Sequence, residues 1–304
     1  MSFRGFNPRA GINPYKSWAS ILDCGDIPIS PFDNSLALRQ MSEAFLELAQ
    51  RPSAASASGG DTNPFRQKPR LLTLGGDHSI ALPALRALSQ VYGQPISVVH
   101  FDAHLDTWNP AAYPSDWWDP SDTNTQSFFT HGTMFWMAAQ ENLIANASSV
   151  HAGLRCRLLG LEDYEDDTAQ GWVRISADDI DDFGVRGIVE QILDQVGPEK
   201  PVYLSVDIDV IDAGLAPGTG TPEPGGWTTR ELIRILRGIE ALNIVGADIV
   251  EVSPAYDGAS EVTAMVAAQV GFEILTSMVK RSLVAGEDNA SDKSSGHDAT
   301  RDEL

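Results

Sequence analysis

Four apolar runs in this chain end in acids or imidazoles: "RLLTLGGDH" (70–78), "PISVVHFDAHLD" (95–106), "VYLSVDIDVID" (202–212) and "NIVGADIVEV" (243–252). Their apolar residues do not alternate with polar ones, so each reads as a strand buried on both faces, the mark of a parallel sheet covered by helices. Two shorter runs, "SVHAGLR" (149–155) and "WVRIS" (172–176), read the same way. Helical patterns fall between them, in "SIALPALRALSQVY" (79–92) and over residues 35–50, 133–144, 186–197, 228–241 and 260–284. Strand–helix–strand succession predicts a three-layer α/β/α domain. In such a sheet ligands bind beyond the carboxyl ends of the strands, and that is where the polar clusters fall.

Taken singly, each cluster has an ordinary reading. A histidine after a glycine pair often sits in a turn or caps a helix, and Asp-x-Asp pairs are common in solvated loops. "DAHLD" is more specific, because positions i, i+2 and i+4 of an extended chain point to one side. Carboxylates gathered from several strands onto one edge repel each other unless cations neutralise them. Six candidate ligands result: His78, Asp102, His104, Asp106, Asp207 and Asp209. Four carboxylates and two imidazoles without a thiolate suit a harder divalent ion such as Mn²⁺ better than zinc. Six ligands suit two ions ~3.5–4 Å apart that share bridging carboxylates and an activated water.

The charge balance agrees with that reading. With 42 acids against 21 lysines and arginines the formal charge is −21, which repels nucleic acid and favours cationic small molecules or divalent metals, though acidity also serves solubility. No apolar stretch reaches the ~18 residues of a membrane span, and "MSFRGFNPRAG" lacks the apolar centre of a secretory signal. Cys24 and Cys156 give no disulfide framework and are expected as buried free thiols. Residues 51–70 read as a polar connector. The acidic, small-residue stretch 286–304 reads as a flexible tail after one domain over 1–285.

"GGDHS", "DAHLD", "HGTMF" and "SVDIDVIDAGLAPGTGTPEPGG" are similar to the signatures of the ureohydrolases, that is arginases and agmatinases. The resemblance runs from about residue 15 to 284, and "DCGDIPISPFDN", "HGTMFWMA" and "DIVEVSPAYD" look most like agmatinase of the fungal type. It implies an arginase-like fold with about eight mostly parallel strands, two Mn²⁺ per subunit, and homo-oligomers. It also implies hydrolysis of agmatine, a small cationic guanidino compound, to putrescine and urea in polyamine synthesis. By the same resemblance one ion falls to His78, Asp102, Asp106 and Asp207 and the other to Asp102, His104, Asp207 and Asp209, with Asp102 and Asp207 bridging. His131 is the implied proton shuttle and Glu251 the implied guanidinium-binding carboxylate. Asp106 is suited to accept a proton from the attacking water.

Other readings stay open. A different tail on the substrate, as in 4-guanidinobutyrate or arginine, changes only the distal end of the pocket; an inactive metal-stabilised scaffold keeps the ligands without turnover. The Gly/Pro-rich stretch 216–226 reads as a rigid loop shaping the pocket. The loop from Asp106 to His131, with Trp108, Trp117 and Trp118, reads as a substrate-shaping lid or a packed surface loop. His100 and His151 read as hydrogen-bonded core histidines. The family pattern has a strand and an "RxGxRxGP"-like stretch before "GFNPRAGINPYKSW", which points to an absent first strand or a late start. Ala213 stands where the signature has Pro. The final "RDEL" is an endoplasmic-reticulum retrieval signal if a leader precedes this chain, which would make "NAS" at 146–148 and 289–291 glycosylation candidates; without a leader the expectation is cytoplasmic.

Overall fold

The computed structural model describes residues 5–53, 66–111 and 128–295, with side chains up to residue 283. Each apolar run named above forms a strand: β1 (Leu71–Leu74), β2 (Ser97–Phe101), β3 (Ser149–Leu154), β4 (Trp172–Ser176), β5 (Pro201–Asp207) and β6 (Asn243–Val250). They pair in the order β1-β6-β5-β2-β3-β4, every neighbour parallel. The family resemblance implied about eight strands; the described residues hold six. These six are the runs whose own residues read as strands, whereas the other two rested on the resemblance alone.

The helices are α1 (Asn34–Gln50), α2 (Ala81–Tyr92), α3 (Met134–Gln140), α4 (Glu162–Ala169), α5 (Asp179–Val196), α6 (Thr229–Gly238) and α7 (Val262–Ser295). Their starts follow from local chemistry. Asp33 caps α1 by accepting the Leu36 N–H at 2.8 Å, and Thr228 with Glu231 closes a reciprocal capping box on α6. Leu38, Met41, Phe45 and Ala49 recur at three- and four-residue spacing and bury one stripe of α1. That stripe joins α2 and α3 in one core cluster with Val98, Tyr203 and Val250 of the sheet. On the opposite face Val99, Phe101, Leu204 and Val206 meet α5, α6 and α7. Three layers result, as expected.

Several boundaries differ from the sequence reading. α5 begins at Asp179, because a short helical stretch precedes a kink at Gly184, whose φ is 65°. α7 runs on to Ser295, into the stretch read as a flexible tail; residues 296–304, with "RDEL", lie outside the described residues. Contrary to the expectation that no stretch could span a membrane, Val262–Leu283 is long and apolar enough by length and composition. Its buried Val266, Val270, Ile274 and Met278 pack against the sheet, which is what a core helix requires. Cys24 is exposed rather than buried and Cys156 is partly buried; both are free thiols.

Strands β2, β3 and β4 step one way across the sheet, while β5 and β6 fill the other side of β2. The order reverses between β2 and β5, and the crevice at such a switch point is the natural ligand position.

Candidate metal centre

Phe101 and Val206 are the last register partners of β2 and β5, so Asp102 and Asp207 follow side by side on the same face. A tight turn after β5 brings Asp209 round, with its N–H donating to Asp207 Oδ1 at 2.8 Å. After β1 the chain passes Gly75, where a Cβ would meet Ile80 Cδ1 at 2.4 Å, and the following turn swings His78 beneath the sheet edge. Asp106 and Glu251 both hold left-handed backbone, with φ of 57° and 60°. Side chains disfavour that region, and such strain gathers at functional sites.

Two groups of ligand atoms result. His78 Nδ1 lies 3.2 Å from Asp102 Oδ2, 3.1 Å from Asp106 Oδ2 and 3.4 Å from Asp207 Oδ2. His104 Nδ1 lies 3.1 Å from Asp102 Oδ1 and 3.0 Å from Asp209 Oδ2. Asp102 thus offers one oxygen to each group. The first group also includes His100 by distance, but its two ring nitrogens already face Asp102 and His151 at 2.9 and 2.7 Å.

His78 provides the test of whether these residues fit cations. Its Nε2 lies 2.7 Å from Ser205 Oγ, and Ser205 gives its own hydrogen to Asp248 at 2.8 Å. The ring must then donate from Nε2, which leaves the Nδ1 lone pair aimed at three carboxylates. That Nδ1 is buried and makes no hydrogen bond. A lone pair among carboxylate oxygens is repelled unless a proton or a cation stands between them. The donor set, imidazole and carboxylate without thiolate, suits a hard divalent ion.

Without cations the cage is under electrostatic stress. Burial and the nearby Asp209 and Asp102 push Asp207 well above the usual carboxylate range. Burial and Asp102 raise Asp209 to about 6. Burial opposes ionisation of Asp102 too, yet His100, His104 and His78 outweigh it and hold that carboxyl well below its ordinary value. Burial lowers His78, but the carboxylates of Asp102, Asp106 and Asp207 crowded around its Nδ1 outweigh burial and raise it. Protons therefore occupy the cage in place of cations, and a cation must displace them. Divalent-ion affinity should fall as pH drops through about 6, where Asp209 takes up its proton. Calorimetry in buffers of different ionisation enthalpy should register proton release on binding; pH-independent affinity between 5 and 8 would contradict this charge assignment.

A cavity of about 110 Å³ opens onto the cage, lined on its far side by Trp108, His131, Thr221 and Glu251. Glu251 Oε1 accepts the His78 N–H at 2.7 Å, which leaves Oε2 unclaimed by that bond. Burial and Asp77 raise its pKa. His131 comes from the turn before α3, its Nδ1 3.4 Å from Asp77 Oδ2. The bond to Asp77 outweighs burial and, helped by Asp106, raises His131 to about 9. The sequence assigns Asp77 no role of its own; its partnership with His131 emerges only from the fold.

Residues 216–226 form no regular element, and they are tied down from several sides. Arg155 donates to the carbonyls of Asp209 and Glu223 at 2.5 and 2.8 Å, and Asp212 accepts the N–H groups of Gly225 and Gly226. Trp117 and Trp118, read as part of a substrate-shaping lid or a packed surface loop, lie outside the described residues.

The profile of the arginase family matches residues 2–276. A Schizosaccharomyces pombe protein named "putative agmatinase 3" is 48% identical over 91% of this chain and 66% of its own length. An agmatinase of Enterobacter sp. is 39% identical over 84% of this chain and 70% of its own. Among solved structures, a hypothetical agmatinase from Burkholderia thailandensis superposes with a TM-score of 0.73 at 34% identity, covering 91% of this chain and 74% of that one. Proclavaminate amidino hydrolase from Streptomyces clavuligerus gives 0.69 at 36% identity over 86% and 75%. The chain spans about two thirds of the length of the curated relatives it matches.

Proposed function

The chain belongs to the arginase family, and from that premise we propose that it is a ureohydrolase that holds two Mn²⁺ ions and cleaves agmatine to putrescine and urea. The observation that carries the substrate assignment is the charge of the cavity. Among the described residues no lysine or arginine lines it, while Asp106, Asp207 and Glu251 do. Asp77 stands beside His131 at its edge, and Glu223 Oε1 lies 3.8 Å from His104 Nε2. A carboxylate tail, as in 4-guanidinobutyrate, would find no lysine or arginine there; an ammonium tail meets the favourable potential of these carboxylates.

His78, Asp102, Asp106 and Asp207 would hold one ion and Asp102, His104, Asp207 and Asp209 the other. When bound, the pair supplies a nucleophilic water at neutral pH. The remaining work falls to side chains. Glu251 binds the guanidinium through its free oxygen, and its bond from the His78 N–H fixes its direction. A guanidinium carbon is a poor electrophile because three nitrogens donate into it, so orientation matters. Asp106 accepts the proton that water loses on attack. His131, kept protonated by Asp77, donates a proton to the amine nitrogen as its bond to carbon breaks. Trp108 offers an apolar wall to the methylene chain.

A urea-release panel over agmatine, arginine and 4-guanidinobutyrate, run on Mn²⁺-loaded protein, tests the reading. Agmatine should be preferred. Preference for a carboxylate-bearing substrate would overturn the substrate assignment, and no urea from any of the three would favour the metal-stabilised scaffold.

A further inference from the structure

Beneath the cage runs a row of buried polar side chains that the proposed chemistry leaves unused. Asp248 is the register partner of Ser205, Ser205 of His100, His100 of His151, and His151 of Arg174, so one rung crosses β6, β5, β2, β3 and β4. With side chains alternating along a strand, this rung lies on the same face as Asp102 and Asp207, two residues earlier in each strand. His100, His151 and Asp167 are completely buried. The Trp172 ring stacks on His151 at 3.9 Å between centroids and Phe135 packs edge-on against His100, which closes the row to water.

The hydrogen count along this row is restrictive. His100 Nε2 lies 2.9 Å from Asp102 Oδ2, an acceptor, so that nitrogen carries a hydrogen. Asp167 accepts from Thr107 Oγ1 at 2.8 Å and Arg174 Nη1 at 2.6 Å, and faces His151 Nε2 at 3.1 Å, so His151 Nε2 carries one too. The two Nδ1 atoms then face each other at 2.7 Å. Two neutral rings hold two hydrogens, and both are already committed. A third must lie between the Nδ1 atoms, because two bare lone pairs repel at that distance. Asp102 on one side and Asp167 on the other face the pair and balance the charge this third hydrogen brings.

We propose that His151, backed by Asp167, is a positioning residue for the two-ion centre. It supplies the hydrogen bond to His100 Nδ1 that keeps His100 Nε2 aimed at Asp102, and so keeps the two oxygens of Asp102 turned one to each ion. This rests on the reading of the cage as a two-cation site. If that reading fails, the parent protein itself binds fewer than two ions. If only this inference fails, the parent behaves normally and the variants match it.

The test compares His151→Leu with His151→Gln in the full chain. Leucine fills the space without a polar group, whereas glutamine can donate an amide N–H to His100 Nδ1. Mn²⁺ affinity, measured by titration calorimetry, should fall about 10–100-fold in His151→Leu, with kcat reduced and KM little changed. The paramagnetic resonance signal of the coupled Mn²⁺ pair should change with it. In His151→Gln the Mn²⁺ affinity and kcat should stay within about threefold of the parent, with KM and the resonance signal unchanged. A purely packing role predicts equal behaviour of the two variants, and equal metal affinities would overturn the proposal. Should His151→Leu not fold, Asp167→Leu carries the test: it removes the acceptor that holds His151 Nε2, and metal affinity should drop. Parental affinity in that variant would overturn the proposal as well.

Discussion

Asp102→Asn should leave a folded protein that no longer holds two ions and releases urea about 10³-fold more slowly or worse, a loss of several kcal/mol of transition-state stabilisation. Asp102 places Oδ2 3.2 Å from His78 Nδ1 and Oδ1 3.1 Å from His104 Nδ1, so each oxygen serves a different group of ligands. Asparagine has the same shape, which protects the core, but one anionic oxygen becomes an NH₂ that points hydrogens at a cation. The surviving oxygen can serve one group only. Its accepted bonds from His100 Nε2 and the His104 N–H are divided as well. Circular dichroism should show a native fold, and elemental analysis should find fewer than two ions per chain. A variant that kept both ions and ran within tenfold of the parent would remove Asp102 from the bridging position.

Glu251→Gln should do the opposite to the metal and nearly as much to the rate. Its amide oxygen can still accept the His78 N–H, so the left-handed turn and the cage beneath it stay in place. The other end now offers N–H to a guanidinium that has only N–H to give. Breaking a desolvated charge pair of this kind costs about 2–5 kcal/mol, so kcat/KM should fall by about 10²-fold or more. Metal content should not change. Loss of an ion in this variant would mean that Glu251 supports the cage rather than the substrate.

The parts of this molecule that were legible in the sequence are those whose signal is local. The four inner strands announced themselves because a strand covered on both faces must be apolar throughout; the edge strands β1 and β4 carry apolar runs too, although Leu74 and Val173 are exposed. "DAHLD" declared itself because Asp102, His104 and Asp106 share one side of an extended chain. What could not be read depended on distant partners. Helix α4, "EDYEDDTA", has no apolar period; it is held instead by buried acids, with Asp163 accepting the Leu159 N–H and Asp167 anchored to His151 and Arg174. The polar rung beneath the cage left only a faint trace, the Ser205–Asp207 and His100–Asp102 pairs two apart. Joining those pairs to His151 and Asp248 needs the register of four strands, which no single stretch specifies. The pairing of Asp77 with His131 likewise joins two turns far apart in the chain.

The central claim is a cage for two cations, and the reference arm of the Asp102→Asn experiment tests it most directly. The parent chain, loaded with Mn²⁺ and dialysed free of loose metal, should contain two ions per chain by elemental analysis, and it should lose them together with its urea release on treatment with chelator. A folded parent that binds one ion or none would contradict the account.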